Sequence, residues 1–99
     1  MKEFDPQVLQ EKYERWHALH QKIEEAQAQW LKAGELMAEL QEYYQSEQWR
    51  IDNASEVRLE CAADVHSILS EDALWNSLAD RQEQAIKWMR LGLDVIDRS

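Results

Sequence analysis

Glycine occurs twice in this chain and proline once. Sheets and α/β folds draw on both residues for tight turns and loops, so their scarcity argues against any architecture rich in hairpins. Cys61 is the only cysteine. It can close no intrachain disulfide and supply no zinc-binding cysteine cluster, which fits a reducing compartment. Basic charge is scarce as well: 11 Lys and Arg stand against 20 Asp and Glu, for a net charge of −9. Affinity for nucleic acid comes largely from neutralising phosphates, so direct binding to DNA, RNA or an anionic membrane is not expected. No apolar run approaches the ~18 residues of a membrane-spanning helix, and no signal-peptide core is visible. Together these absences read as a cytoplasmic protein.

What is present is helical in character. Glu, Gln, Ala, Leu and Lys dominate, all of them good helix formers. The 99 residues make a single helical domain over 1–99, with 44% hydrophobic residues to build a core and 31% charged residues to cover it. Asp5 is a good N-cap, and Pro6 suits the first helical position, where its missing N–H costs nothing. A period of seven follows: Leu9, Trp16, Ile23, Trp30, Met37 and Tyr44, with Leu19, Ala26, Ala33 and Leu40 three residues on. Only Lys12 and Glu47, at the ends, break this seam. The spacing predicts one helix from about Pro6 to Gln45, a rod on the order of 60 Å.

The last segment is equally regular. Ser70 is the expected N-cap of a helix from Glu71 to about Ile96, with acids Glu71 and Asp72 in its first turn. Trp75, Leu78, Ala85, Met89, Leu93 and Ile96 form its expected apolar stripe, opposite Asp80, Glu83, Lys87, Arg90, Asp94 and Asp97. Residues 46–69 are the ambiguous part. Asn53 and Ser55 are cap-type residues. Val57, Cys61, Val65 and Ile68 have helical spacing, while Val57, Leu59 and Cys61 alternate like a strand; the neighbouring alanines and charges favour a short helix. Cys61 then falls on an apolar stripe and is expected in the core. The sum is an all-α fold: a long antiparallel helical hairpin with a short middle helix, a lopsided three-helix bundle. A first helix longer than its partner leaves seam uncovered and invites a homodimer.

Two stretches, "YYQSEQWRID" and "ILSEDALWNSL", resemble the signature of a small bacterial family known as domain of unknown function number four-two-nine-eight. Tyr43, Tyr44, Ser46, Trp49 and Asp52 carry the first motif; Leu69, Ser70, Glu71, Asp72, Ala73 and Trp75 carry the second. The resemblance implies a helical fold with a long Glu-rich first helix and no assigned activity. Between the motifs this sequence departs from it, since "NASEVRLECAADVHSI" holds no glycine where the family pattern has a Gly-containing connection.

The first motif lies where the first helix ends. In a hairpin that end sits beside the start of the last helix. Tyr43, Tyr44, Trp49 and Trp75 then form an aromatic plug, with Asp52 accepting from a Tyr or Trp or capping a turn. The same residue types, ringed by acids, also make a binding hot spot. Tyr44 continues the heptad and is expected to be structural. Tyr43, Trp49, Asp52, Asp72 and Trp75 are the candidate partner-binding residues.

Chemistry is harder to find. His17, His20 and Glu24 share one helical face at a spacing that can ligate a metal, yet such triplets arise often by chance in a Glu-rich helix and no supporting partner is evident. His66 stands alone as a surface or cap residue. Glu24, Glu25, Glu39, Glu42, Asp80 and Glu83 lie on solvated stretches, where nothing shifts a carboxylate toward acid–base work. There is no phosphate-binding glycine loop and no nucleophile–base arrangement. The reading is therefore a non-catalytic protein-interaction module with no catalytic residues, metal or cofactor, binding a protein partner, itself included. Two alternatives stand beside it: an acidic helical decoy that mimics nucleic acid and occupies a basic protein, and, last, a metal-dependent helical enzyme using the histidines.

Overall fold

The computed structural model describes residues 3–98. It contains α1 (Pro6–Tyr44), α2 (Glu47–Ala54) and α3 (Ala73–Arg98), with no strand among the described residues. The chain divides into two compact units, one ending at Leu36 and the other beginning at Met37.

The expected start of α1 holds. The Asp5 carboxylate accepts from the Gln7 backbone N–H at 3.0 Å, and the Asp5 carbonyl accepts from Leu9 N–H at 3.1 Å. A side chain thus satisfies one of the orphan donors of the first turn. In the first unit every residue of α1 from Pro6 to Glu25 is exposed, including Leu9, Trp16, Leu19 and Ile23 of the heptad seam. From Ala26 onward seam residues become half-buried: Trp30, Met37, Leu40 and Tyr44. No residue of α1 is fully buried.

In the second unit the middle helix exists, but it is not where the apolar spacing put it. Residues 57–67 contain no helix, and α2 occupies Glu47–Ala54 instead. The reason is local. Ser46 is extended (φ −83°, ψ 156°) and its hydroxyl accepts from Trp49 N–H at 3.3 Å, while Glu47 supplies an acid in the first turn. At the other end Ser55 donates its hydroxyl to the Ile51 carbonyl, and Glu56 takes a left-handed φ of 56°. Left-handed backbone cannot continue a right-handed helix. Asn53 and Ser55, read as cap-type residues, thus lie at the end of α2, with Ser55 as its C-cap. Beyond them Val57, Leu59 and Val65 are exposed, so no packing offsets the nucleation cost of another short helix. Cys61 is exposed too, not a core residue.

The start of α3 is also corrected. Ser70 does not cap it: its hydroxyl donates to the Ser67 carbonyl at 2.8 Å within a turn, and a further turn at Glu71 and Asp72 precedes the helix. The first helical bond runs from Asn76 N–H to the Asp72 carbonyl at 2.9 Å. The inward stripe is Leu74, Ser77, Leu78, Arg81 and Ala85. Trp75, Met89, Leu93 and Ile96, expected inside, are exposed. The two buried apolar residues among those described are Leu69 and Leu74, which lie just before and just inside this helix start.

These caps give an expected pair of results. Ser46→Ala removes the α2 cap and is expected to cost about 1 kcal/mol. Ser70→Ala loses one turn hydroxyl and is expected to cost no more than ~0.5 kcal/mol. Urea midpoints measure both, and a larger loss at Ser70 than at Ser46 contradicts the assignment.

Candidate interaction site

The candidate site lies in the second unit, around α2. Only Gln45 and Ser46 separate α1 from α2. The reversal needs no glycine because side chain and backbone share the work. Gln45 N–H still reaches the Gln41 carbonyl at 3.0 Å, and Ser46 donates both its N–H, at 3.0 Å, and its hydroxyl, at 2.5 Å, to the Tyr43 carbonyl.

Side chains then tie α2 to its neighbours on both sides. The Tyr43 hydroxyl donates to Asp52 Oδ2 at 2.6 Å, which holds the end of α1 to α2. Tyr44 and Trp49 meet edge to face, ring centroids 4.8 Å apart at 78°, the geometry their quadrupoles favour. Trp49 Nε1–H donates to the Ile68 carbonyl at 2.9 Å, and Asn53 Nδ2 to the Leu69 carbonyl at 2.5 Å. Those two bonds bring the turn before α3 onto α2 and set Leu69 and Leu74 in the interior. The expected meeting of the first helix's end with the last helix's start is therefore found: Tyr44 and Gln45 face Trp75, Leu78, Ala79 and Gln82 across a groove of about 290 Å³.

The candidate residues divide into two groups. Tyr43, Trp49 and Asp52 are half-buried and spend their polar atoms inside the chain. Asp72 and Trp75 are exposed, Trp75 at 65%. Trp75 thus borders the groove with its ring largely in water. Sequence reasoning missed Asn53 as a tie and Gln82 as a groove residue. The signal for Asn53 was available: a short amide side chain one turn after Trp49, beside a turn whose carbonyls need donors.

Electrostatics mark one group. The Tyr43 phenol is raised above its ordinary 10.0, first by its hydrogen bond to Asp52, then by burial, then by the Asp52 charge. A raised value means that the neutral phenol is the stabilised form. Its contribution is complete below the unfolded value and is lost as pH rises through the raised one. In an ultraviolet titration of phenolate absorbance, wild type is expected to keep a late-ionising tyrosine that Tyr43→Phe lacks. Equal early titration of all tyrosines contradicts the bond.

The histidines of α1 do other work. His20 Nε2 pairs with Glu24 Oε1 at 3.1 Å, and its ring stacks on Trp16 at 4.9 Å and 11°. Trp16 in turn stacks on Tyr13 at 5.9 Å, and His17 leans toward Tyr13. Among the described residues no group of three His, Cys, Asp or Glu is placed to hold a metal ion. No helix among them is long and apolar enough to cross a membrane.

No curated protein and no solved structure matches the chain. The sequence pattern of one family, described as a domain of unknown function (DUF4298), matches residues 7–91. That match spans most of α1, all of α2 with its Tyr43–Asp52 and Trp49–Ile68 ties, and α3 to Leu91. The chain belongs to the DUF4298 family.

Proposed function

We propose that this chain is a non-catalytic, cytoplasmic protein-interaction module that engages a protein partner around Trp75. One observation carries the reading: large apolar side chains lie outside. Trp16, Leu19, Trp75, Met89, Val95 and Ile96 are each more than half exposed, while only Leu69 and Leu74 are buried among the described residues. Scattered exposed apolar residues are ordinary, but aligned ones on regular helices mark contact surfaces. Trp75 is the anchor. It is an exposed indole beside a groove, next to the exposed acids Glu71 and Asp72, and α2 holds the helix start that presents it. Tyr43, Trp49 and Asp52 serve the contact by fixing that platform. An anchor of this kind suits a partner with an apolar side chain for the groove and basic groups at the rim.

The net charge of −9 favours a second reading, the acidic decoy that occupies a basic, nucleic-acid-binding protein. One experiment separates the two. The tagged chain and its Trp75→Ala variant are used to capture partners from the native host, and the captured complex is washed at rising salt. An apolar anchor is expected to lose its partner on Trp75→Ala and to survive about 0.5 M salt, where exposed charges are screened. Capture that ignores Trp75→Ala and collapses with salt overturns the anchor in favour of the decoy.

A further inference from the structure

Helix α3 is amphipathic twice. Its inward stripe is Leu74, Leu78, Arg81 and Ala85. A second stripe, rotated about one residue away, runs Ala79, Gln82, Ile86, Met89, Leu93, Ile96. Each of these six is exposed, with Met89 at 66% and Ile96 at 68%. The spacing alternates between three and four residues, which is the seam of a two-stranded coiled coil. One polar residue, Gln82, interrupts it.

We infer that this outer stripe of α3 pairs with the same stripe of a second copy of the chain, antiparallel, in one register. The charges beside the seam select the occupant. The flanking positions on the solvent side are Asn76, Glu83, Arg90 and Asp97. In an antiparallel pair these positions face their own kind across the seam. Aligning Ile86 with Met89 of the second copy sets Glu83 beside Arg90 and, by two-fold symmetry, Arg90 beside Glu83. The same register places Ala79 against Ile96 and Gln82 against Leu93, so all six stripe residues are used. A slip of seven residues one way brings Glu83 against Glu83; the other way brings Arg90 against Arg90. Like charges thus reject both neighbouring registers. In a parallel pair the opposite flank would take part, and it carries Leu78, Ala85 and Gly92, with no charge to choose an orientation. A Cβ at Gly92 would meet nothing within 4 Å, so the backbone there leaves room for a close helix.

A seam of six residues, one of them alanine and one polar, is short for a specific interface, so a reversible dimer is expected rather than a permanent one. Trp75 is not one of the six stripe residues that pair in this register. The pairing deepens the interaction-module reading by naming one partner, and rests on it only in treating exposed helix faces as contacts. Ala79 and Gln82 line both this seam and the groove beside Trp75, but Met89, Glu83 and Arg90 lie outside that groove, so variants there test the pairing without touching the Trp75 anchor.

Sedimentation equilibrium of the full chain, from about 5 to 200 μM, tests the pairing. Wild type is expected to show a monomer–dimer equilibrium. Met89→Glu is expected to be monomeric with unchanged helical circular dichroism. Should that variant fold poorly, the surface charges decide. Glu83→Arg and Arg90→Glu are each expected to weaken the dimer about tenfold, since every swap acts twice. The double variant Glu83→Arg/Arg90→Glu is expected to recover wild-type affinity within about threefold. A monomer throughout the range overturns the inference. So does a dimer indifferent to these changes, or a double variant no better than the singles.

Discussion

Trp49→Ala is expected to lower the unfolding free energy by about 3 kcal/mol, the lower end of the range for a large aromatic because the ring is only half-buried. Three losses combine. The edge-to-face contact with Tyr44 disappears, the Ile68 carbonyl loses its donor, and a void opens between α2 and the turn before α3. Small domains have only ~5–15 kcal/mol in total, so the urea midpoint should fall sharply. Trp49→Phe separates the parts. It keeps an aromatic ring against Tyr44 and removes the indole donor, for an expected cost of about 1 kcal/mol. If the alanine variant loses less than the phenylalanine variant is expected to lose, α2 is not the element that holds the turn.

Leu74→Ala is expected to cost a similar amount, about 3 kcal/mol, from the most buried side chain described, 4% exposed. Leu74 opens the inward stripe of α3 beside Leu69, and the Asn53 and Trp49 bonds hold Leu69 in place. A 3 kcal/mol loss in a domain of this size corresponds to a fall of roughly 12 °C or more in melting temperature. Met89→Ala on the outer stripe removes a side chain 66% exposed and should shift the monomer's melting temperature little. Equal falls at the two positions would mean that the inner and outer faces of α3 are wrongly assigned.

The long elements were legible because their signals are long. Asp5–Pro6 marks a helix start by cap chemistry, and a heptad sustained from Leu9 to Tyr44 has no competing period. Helix α2 was not legible in that way. Eight residues are too few for periodicity, and what makes them a helix is the Ser46 cap and the ties of Tyr43, Trp49 and Asn53, three of them to partners distant in sequence. Apolar spacing in 57–67 pointed to a helix that no packing supports. At α3 Ser70 had the chemistry of a cap, but Ser67 takes the Ser70 hydroxyl into a turn of its own and the helix starts later. The choice of face on α3 failed for a related reason. With apolar residues on two adjacent stripes, pattern alone cannot say which stripe faces the core. At the candidate site, sequence gathered Tyr43, Tyr44, Trp49, Asp52 and Trp75 correctly into one neighbourhood. It could not divide the half-buried ties from the exposed Trp75, because that division rests on where hydrogen-bond acceptors such as the Ile68 carbonyl arrive in the fold.

The urea midpoint of Trp75→Ala tests that division most directly. If Trp49 and its neighbours hold the platform while Trp75 faces outward for a partner, removing the Trp75 ring changes unfolding free energy by less than about 0.5 kcal/mol, as surface substitutions do. A loss near that of Trp49→Ala would contradict it, making Trp75 part of the core plug and leaving no exposed anchor at this end of α3.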